Sequence, residues 1–282
     1  MVNIIGEHKW RINLFYICIL LFVVVFMGCQ KIIEVPLNNA RPRLVVDGLI
    51  TDKPGPYYIK ISTSGDYYKL GETPRVEDAV VAISDSEGNK DILVPVSNQK
   101  GLYQTTTLQG VAGRTYYLKI QYNGQVYEAT SYMHPIPAKS IVLSRIDYVE
   151  GDVFRKKGYY LYFDINLKKQ NSDVSYWRVF VSKNDSLYNG PNDYLLGDDR
   201  FLKDKLKDLE LPYNFEPRDT VHIEMHSLDQ FHSDYYNQLQ QLLFNDGGLF
   251  SPPPVNPSGN ISNQALGLFR ASSITSTQII IP

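Results

Sequence analysis

His222-Ile-Glu-Met-His226 is the densest set of side chains in this sequence that could ligate a metal or move a proton. The zinc-protease arrangement needs a glutamate directly after the first histidine, on a helix, and this segment has neither feature. It alternates as a strand does. His222, Glu224 and His226 then project from one face, and Val221, Ile223 and Met225 from the other. Neighbours two apart can chelate one ion. All three cannot do so from a straight strand, because four residues span about 13 Å. The plainer expectation is a polar, solvated face opposite a buried one, with no metal and no cofactor.

A second set could bind rather than react. Tyr160, Tyr162, Asp164, Tyr176, Arg178 and Phe180 lie on strand faces opposite two apolar stripes. Aromatic rings with one cation and one carboxylate could form a platform for a sugar, a peptide or a partner. The alternative is that a helix later in the chain covers them and the sheet is buried on both sides. Asp198-Asp199, with Asn192-Asp193 nearby, lacks the spacing of a calcium loop and reads as solvated. The sequence contains no G-x-S-x-G, phosphate loop, dinucleotide fingerprint or cysteine–histidine pair. The chain is therefore expected not to be an enzyme. The competing reading is a hydrolytic or metal-dependent enzyme using His222 and Glu224.

The elements that must position these residues are mostly short strands. In Thr115-Tyr-Tyr-Leu-Lys-Ile-Gln-Tyr122, the side chains of Tyr116, Leu118, Ile120 and Tyr122 share a face. Asn123-Gly124 then joins this run to Gln125–Thr130, the preferred two-residue hairpin. About seven such runs fill residues 43–133, which suggests an immunoglobulin-like β-sandwich over 43–134. Pro135-Ile-Pro137 suggests a boundary. Beyond it a second antiparallel β domain is expected over 140–282, with longer strands. Tyr159, Leu161, Phe163, Ile165 and Leu167 would face inward on one strand, and Trp177, Val179 and Val181 on the next. The charged stretch Gly197 to Glu210 is expected to be a short helix or an excursion. One helix is expected from Asp229 to about Asn245, with Asp229 as cap and Phe231, Tyr235, Leu239, Leu242 and Leu243 as its apolar face. The fold class is mainly β.

The N-terminus specifies location. Lys9 and Arg11 precede an apolar run, Ile12 to Met27, that ends at Gly28-Cys29. A basic region, an apolar run and a small residue before the cut make a secretory signal. Glycine directly before cysteine is its lipoprotein form, giving residues 1–28 as signal peptide, Cys29 as the lipidation site and 29–42 as a tether. An uncleaved anchor helix, as in a single-pass sensor with an extracytoplasmic β module, is the alternative. Both place the rest of the chain outside the cytoplasm. The two cysteines are Cys18 and Cys29, so the mature chain would hold no intrachain disulfide. Cleavage removes Lys9, Arg11 and Glu7 and moves the net charge from −2 to −3. No basic cluster is present to neutralise phosphates, which argues against nucleic acid as a partner.

Gly28-Cys29, the tether and Arg43-Leu-Val-Val-Asp-Gly-Leu-Ile-Thr51 resemble the opening of a large family of Bacteroidetes lipoproteins that carry a domain of unknown function. Pro74–Ile83, Gly101-Leu-Tyr103, Tyr116-Tyr-Leu118 and Asn256–Ile261 with Ala265–Phe269 continue the resemblance in the same order. It implies an outer-membrane, lipid-anchored accessory protein working beside a SusC-like TonB-dependent transporter, and it supplies no catalytic residues. Gln30-Lys-Ile-Ile33 departs from the acidic cluster tied to surface export in such bacteria. Both the periplasmic and the surface-exposed face therefore stay open.

Overall fold

The structure is a computed structural model that describes residues 41–65, 73–167, 174–201, 205–245, 247, 251 and 253–282. The signal segment and Cys29 lie outside the described residues. Two layer pairs of β-sheet, each enclosing a hydrophobic core, account for most of Arg41–Pro282.

In the first pair, one sheet contains β1 (Leu44–Thr51), β2 (Tyr58–Thr63), β5 (Val94–Pro95), β6 (Leu102–Gln104) and β16 (Leu266–Ser272), ordered β16-β1-β2-β6-β5. The facing sheet contains β3 (Val80–Asp85), β4 (Lys90–Ile92), β7 (Thr115–Tyr122) and β8 (Gln125–Tyr132), ordered β4-β3-β7-β8. Alternation dictates what lies between them. Val46, Ile59 and Ile61 from one sheet meet Ile83, Tyr116, Leu118 and Ile120 from the other, all essentially without solvent contact. The turn after β7 has φ of 47° at Asn123 and 71° at Gly124, the left-handed pair that a two-residue hairpin requires.

Two buried carboxylates staple the loops of this pair. Asp85 accepts from Glu87 N, Asn89 N, Asn89 Nδ2 and Arg114 Nη1 at 2.8–3.0 Å. Asp91 accepts from Thr106 N (2.8 Å), Thr107 N (2.7 Å), Leu108 N (2.9 Å) and the Thr106 hydroxyl (2.8 Å). Burial pushes the Asp91 pKa up, but these donors outweigh it and hold the carboxyl below its ordinary value. Asp91→Asn keeps only one acceptor oxygen for several donors. Chemical denaturation of this variant is expected to show a loss of roughly 1–3 kcal/mol, the cost of an unsatisfied buried donor.

The second pair places β9 (Ala138–Val149), β10 (Gly158–Leu167) and β14 (Lys205–Glu210) in one sheet, ordered β14-β10-β9. The other contains β11 (Tyr176–Lys183), β12 (Ser186–Leu187), β13 (Leu195–Asp198), β15 (Thr220–Leu228) and β17 (Ile274–Ile280). Its order is β12-β11-β15-β17, with β13 also on β11. The expected inward stripes of β10 and β11 both lie in the core, against Val221, Ile223 and Met225. The stretch read as a helix or excursion differs. Its parts form β13 and β14, and β14 pairs with β10. Charges hid this strand. Leu206 packs on the core while the lysines around it face solvent, and a left-handed Asp208 (φ 50°) breaks the alternation.

Chain order does not follow the layer pairs. The division expected near Pro135-Ile-Pro137 assigns all of 140–282 to the second unit, yet Ile261, Ala265, Phe269 and Ala271 lie in the first core. β16 pairs in parallel with β1, Val45 opposite Leu266 and Thr51 opposite Ser272. This close approach depends on Gly267. A Cβ there would lie 1.9 Å from the Val46 carbonyl oxygen, and its φ is +95°. The preceding loop closes the same side: Ser262 N donates to Glu128 O, and Asn260 Nδ2 to Thr130 O, both on β8. After Ser272 the chain passes directly into β17 of the second pair.

The helix, α1 (Gln230–Phe244), follows β15. The Asp229 carboxylate caps it by accepting from His232 N at 2.7 Å. It lies on the outer face of the β11–β15 sheet, where Tyr235, Tyr236 and Leu239 join Tyr176, Tyr194, Leu228 and Leu268 in a third, small cluster. The inward face is only partly the one its spacing suggests: Tyr235 and Leu239 pack inward as expected, with Tyr236 beside them. Phe231 is 41% exposed, and Leu243 is exposed as well.

Candidate functional site

The nominated aromatic face separates into two patches on different sheets. Tyr176, Arg178 and Phe180 stand on β11, Tyr176 and Arg178 against aromatic residues of α1 and Phe180 further along, against the His226 ring. Tyr160 and Tyr162 stand on β10, on the outer face of the other sheet. Both tyrosines are buried, but arginines cover them rather than the helix. The Arg145 guanidinium lies 3.8 Å from the Tyr162 ring centroid, and that of Arg155 lies 5.2 Å from Tyr160. Arg155 also pairs with Glu210 at 3.0 Å. Arg145 is held by Asp147 at 2.9 Å, and Asp164 pairs with Lys205. This patch is thus a ladder of alternating charges laid over two tyrosines. Long basic side chains with apolar stems can cover rings in this way while keeping their heads in water.

The β11 patch is deeper. Arg178 is 3% exposed. Its guanidinium carbon lies 4.2 Å from the Phe180 ring centroid, 4.0 Å from Tyr194 and 4.5 Å from Tyr236. Burial pushes its pKa down, and the tyrosines Tyr236 and Tyr194 oppose that shift. Its Nε and Nη2 have no hydrogen-bond partner among the described residues. A buried unpaired cation costs several kcal/mol. A desolvated cation–π contact contributes up to about 2 kcal/mol, so three ring faces are of the right size to offset most of it. The rings therefore take the place a carboxylate would usually fill.

The histidine motif meets this patch at one end. Cross-strand pairing places His226 opposite Arg178 and Glu224 opposite Phe180. His226 is buried, and its ring lies 4.5 Å from that of Phe180. Its Nε2 is 3.0 Å from the Glu224 carboxylate and its Nδ1 is 3.2 Å from Arg270 Nη1. Arg270 can only donate, so Nδ1 accepts, and the ring hydrogen sits on Nε2 and is given to Glu224. Burial pushes the His226 pKa down to about 4; Glu224 opposes the shift and Arg270 adds to it. The hydrogen bond from His226 in turn holds Glu224 below the ordinary glutamate value. A carboxylate–imidazole pair can serve as a general base only if the second ring nitrogen is open to a substrate. Here Arg270 occupies it.

His222, four residues earlier, is half-exposed, with Nδ1 3.9 Å from Glu224. The expected solvated face is therefore correct at His222 and incorrect at His226, which Arg270 of β16 and Phe180 of β11 enclose. Among the described residues no group of three or more His, Cys, Asp or Glu side chains is arranged to hold a metal. Asp199, read as solvated, is buried and accepts from Ser175 N at 2.9 Å. Sequence reasoning missed Arg145, Arg155, Tyr194, Tyr236 and Arg270. Of these, Arg270 was within reach: alternation along Leu266–Ser272 puts it on the same face as Leu268, beside the helix.

The architecture is that of a mainly β protein of several antiparallel sheets with one helix among the described residues. The chain belongs to the DUF4249 family, a domain of unknown function, whose model matches residues 30–278. No curated protein matches it. Among solved structures, a DUF4785 family protein from Legionella pneumophila subsp. pneumophila is similar at 13% identity with a TM-score of 0.25. That similarity covers 66% of this chain and 52% of the other, so the chain spans about half the length of that protein.

Proposed function

We propose that this chain is a lipid-anchored accessory lipoprotein of a Bacteroidetes outer membrane, acting as a non-enzymatic binding or assembly partner of a SusC-like TonB-dependent transporter. The observation that carries the reading is where the shared domain starts. The family match begins at residue 30, directly after Cys29, and an apolar run ending in Gly28 precedes that cysteine. The first 28 residues thus have the parts of an export signal and lie outside the shared domain. A non-enzymatic role is supported by what the perturbed side chains do. His226, Glu224, Asp85 and Asp91 are each engaged by neighbouring donors or acceptors that stabilise the fold.

Cys29→Ala is expected to yield an unprocessed or soluble protein, while the native chain partitions with membranes. The gain from a diacyl anchor is large because each buried methylene contributes about 0.8 kcal/mol. Intact-mass measurement of the membrane form checks this, and a mass without acyl chains sinks the lipoprotein reading. Co-purification from detergent-solubilised outer membrane, with the partner identified by mass spectrometry, tests the transporter.

A further inference from the structure

The hairpin between β9 and β10 ends in a knob. Val153 and Phe154 are 93% and 95% exposed. Adjacent apolar side chains this open are not explained by packing. Their backbone is held in place. Asp152 Oδ1 accepts from Phe154 N and Arg155 N, both at 2.7 Å, and Asp152 N donates to Arg155 O at 2.8 Å. Just below, Tyr148 is exposed and packs on Tyr159 with ring centroids 5.0 Å apart. Three cations follow the knob: Arg155, Lys156 and Lys157. Arg155 pairs with Glu210 and Lys157 with Glu150, whereas Lys156 is in no ion pair among the described residues.

We propose that Val153 and Phe154 dock into an apolar recess on a partner protein, with a carboxylate of that partner meeting Lys156. This rests on the transporter reading above and names the surface that would serve it. Charge and topology favour a protein over a bilayer. A loop built to enter anionic lipid needs its cations free for headgroups. Here two of three are tied to carboxylates, and Asp152 adds a further negative charge. β1 runs from Leu44 towards the junction at Ser272–Ile274, and β9 runs away from that junction. The knob therefore stands at the far end of one layer pair, and the residue that follows the tether stands at the far end of the other. A preformed knob also loses little conformational freedom on docking, and aromatic anchors beside cations are typical of interface centres.

The test uses the full-length, tagged, lipidated chain in its own host. Wild type, V153D/F154D, K156E and a control, Y117D on the exposed face of β7, are purified from solubilised outer membrane, and the recovered transporter is quantified. The double variant is expected to lower recovery at least tenfold and K156E several-fold. Y117D should leave recovery unchanged, and the melting temperatures of all four should agree within about two degrees, because these side chains support no core. Full recovery with V153D/F154D overturns the docking proposal and leaves the functional reading intact. No transporter with lipidated wild type overturns that reading, and this proposal with it. In a parallel assay, soluble C29S protein is mixed with phosphatidylglycerol vesicles. Flotation that V153D/F154D abolishes makes the bilayer the occupant and overturns a protein partner.

Discussion

Tyr236→Ala is expected to lower stability by roughly 3–5 kcal/mol, the range for removing a large buried ring. Phe231→Ala, on the same helix, should cost under about 1 kcal/mol. The two differ in what they touch. Tyr236 is 6% exposed, belongs to the cluster that fixes α1 to the β11–β15 sheet, and supplies one of three ring faces around Arg178. Its loss leaves both a cavity and a less compensated guanidinium. Phe231 remains in contact with solvent. Urea denaturation of both variants checks the contrast. Equal losses would mean that the helix packs through the face its spacing suggests. Arg178→Met, measured in the Tyr236→Ala background, isolates the charge. It is expected to recover part of the loss, since replacing a buried cation with an apolar side chain of similar length is commonly neutral or stabilising.

Stability should fall by about 3 kcal/mol between pH 7 and pH 4 through His226 alone. The folded-state pKa is lowered from 6.5 to about 4. The unfolded chain therefore takes up a proton between these values that the folded chain refuses, and at about 1.4 kcal/mol per unit the difference reaches this size. The groups facing the ring are Glu224, Arg270 and Arg178, and the two guanidiniums oppose a third positive charge. The carboxylates Asp85, Asp91 and Asp219 are held low by hydrogen bonds. Their contribution is present above the ordinary aspartate value of 3.8 and is lost only as pH falls through their lower folded values. The histidine window thus comes first on acidification. His226→Leu should be less stable at pH 7, because Glu224 and Arg270 lose their shared partner, but its stability should be nearly flat from pH 6.5 to 4. An unchanged slope in that variant would assign the effect to other groups.

What could be read from the sequence was local. The Asn123-Gly124 turn, the inward stripes of β7, β10 and β11, and the Asp229 cap each depend on neighbours within a few residues. Period and turn chemistry express such relations directly. The helix shows where local reading stops. Spacing favours Phe231, Tyr235, Leu239, Leu242 and Leu243, and of these Tyr235 and Leu239 do pack on the sheet. Yet the surface beneath contains Arg178, so Tyr236 turns inward over it while Phe231 and Leu243 stay exposed. The same limit applies to His226. Alternation assigns it to an outer face, and nothing in Thr220–Leu228 records that Arg270 of β16 and Phe180 of β11 enclose it and leave His222 open. β14 was hidden for another reason: an edge strand needs only one apolar side chain in the core, and lysines around it read as loop.

The parallel pairing of β1 with β16 has a consequence for how the molecule is made. Val45 meets Leu266, so the sheet begun by nearly the first described residues is completed by nearly the last. Contacts this distant in sequence slow folding, because a long loop must close before they form. Until then β1 presents an open edge, and such edges recruit other chains. A chain released after residue 134 would contain nearly every strand of the first layer pair and still lack Phe269 and Ala271 from its core. Residues 43–134 alone are thus expected to aggregate rather than fold, and completion of the first layer pair becomes a late checkpoint on synthesis: only a molecule whose C-terminal segment has emerged can close it.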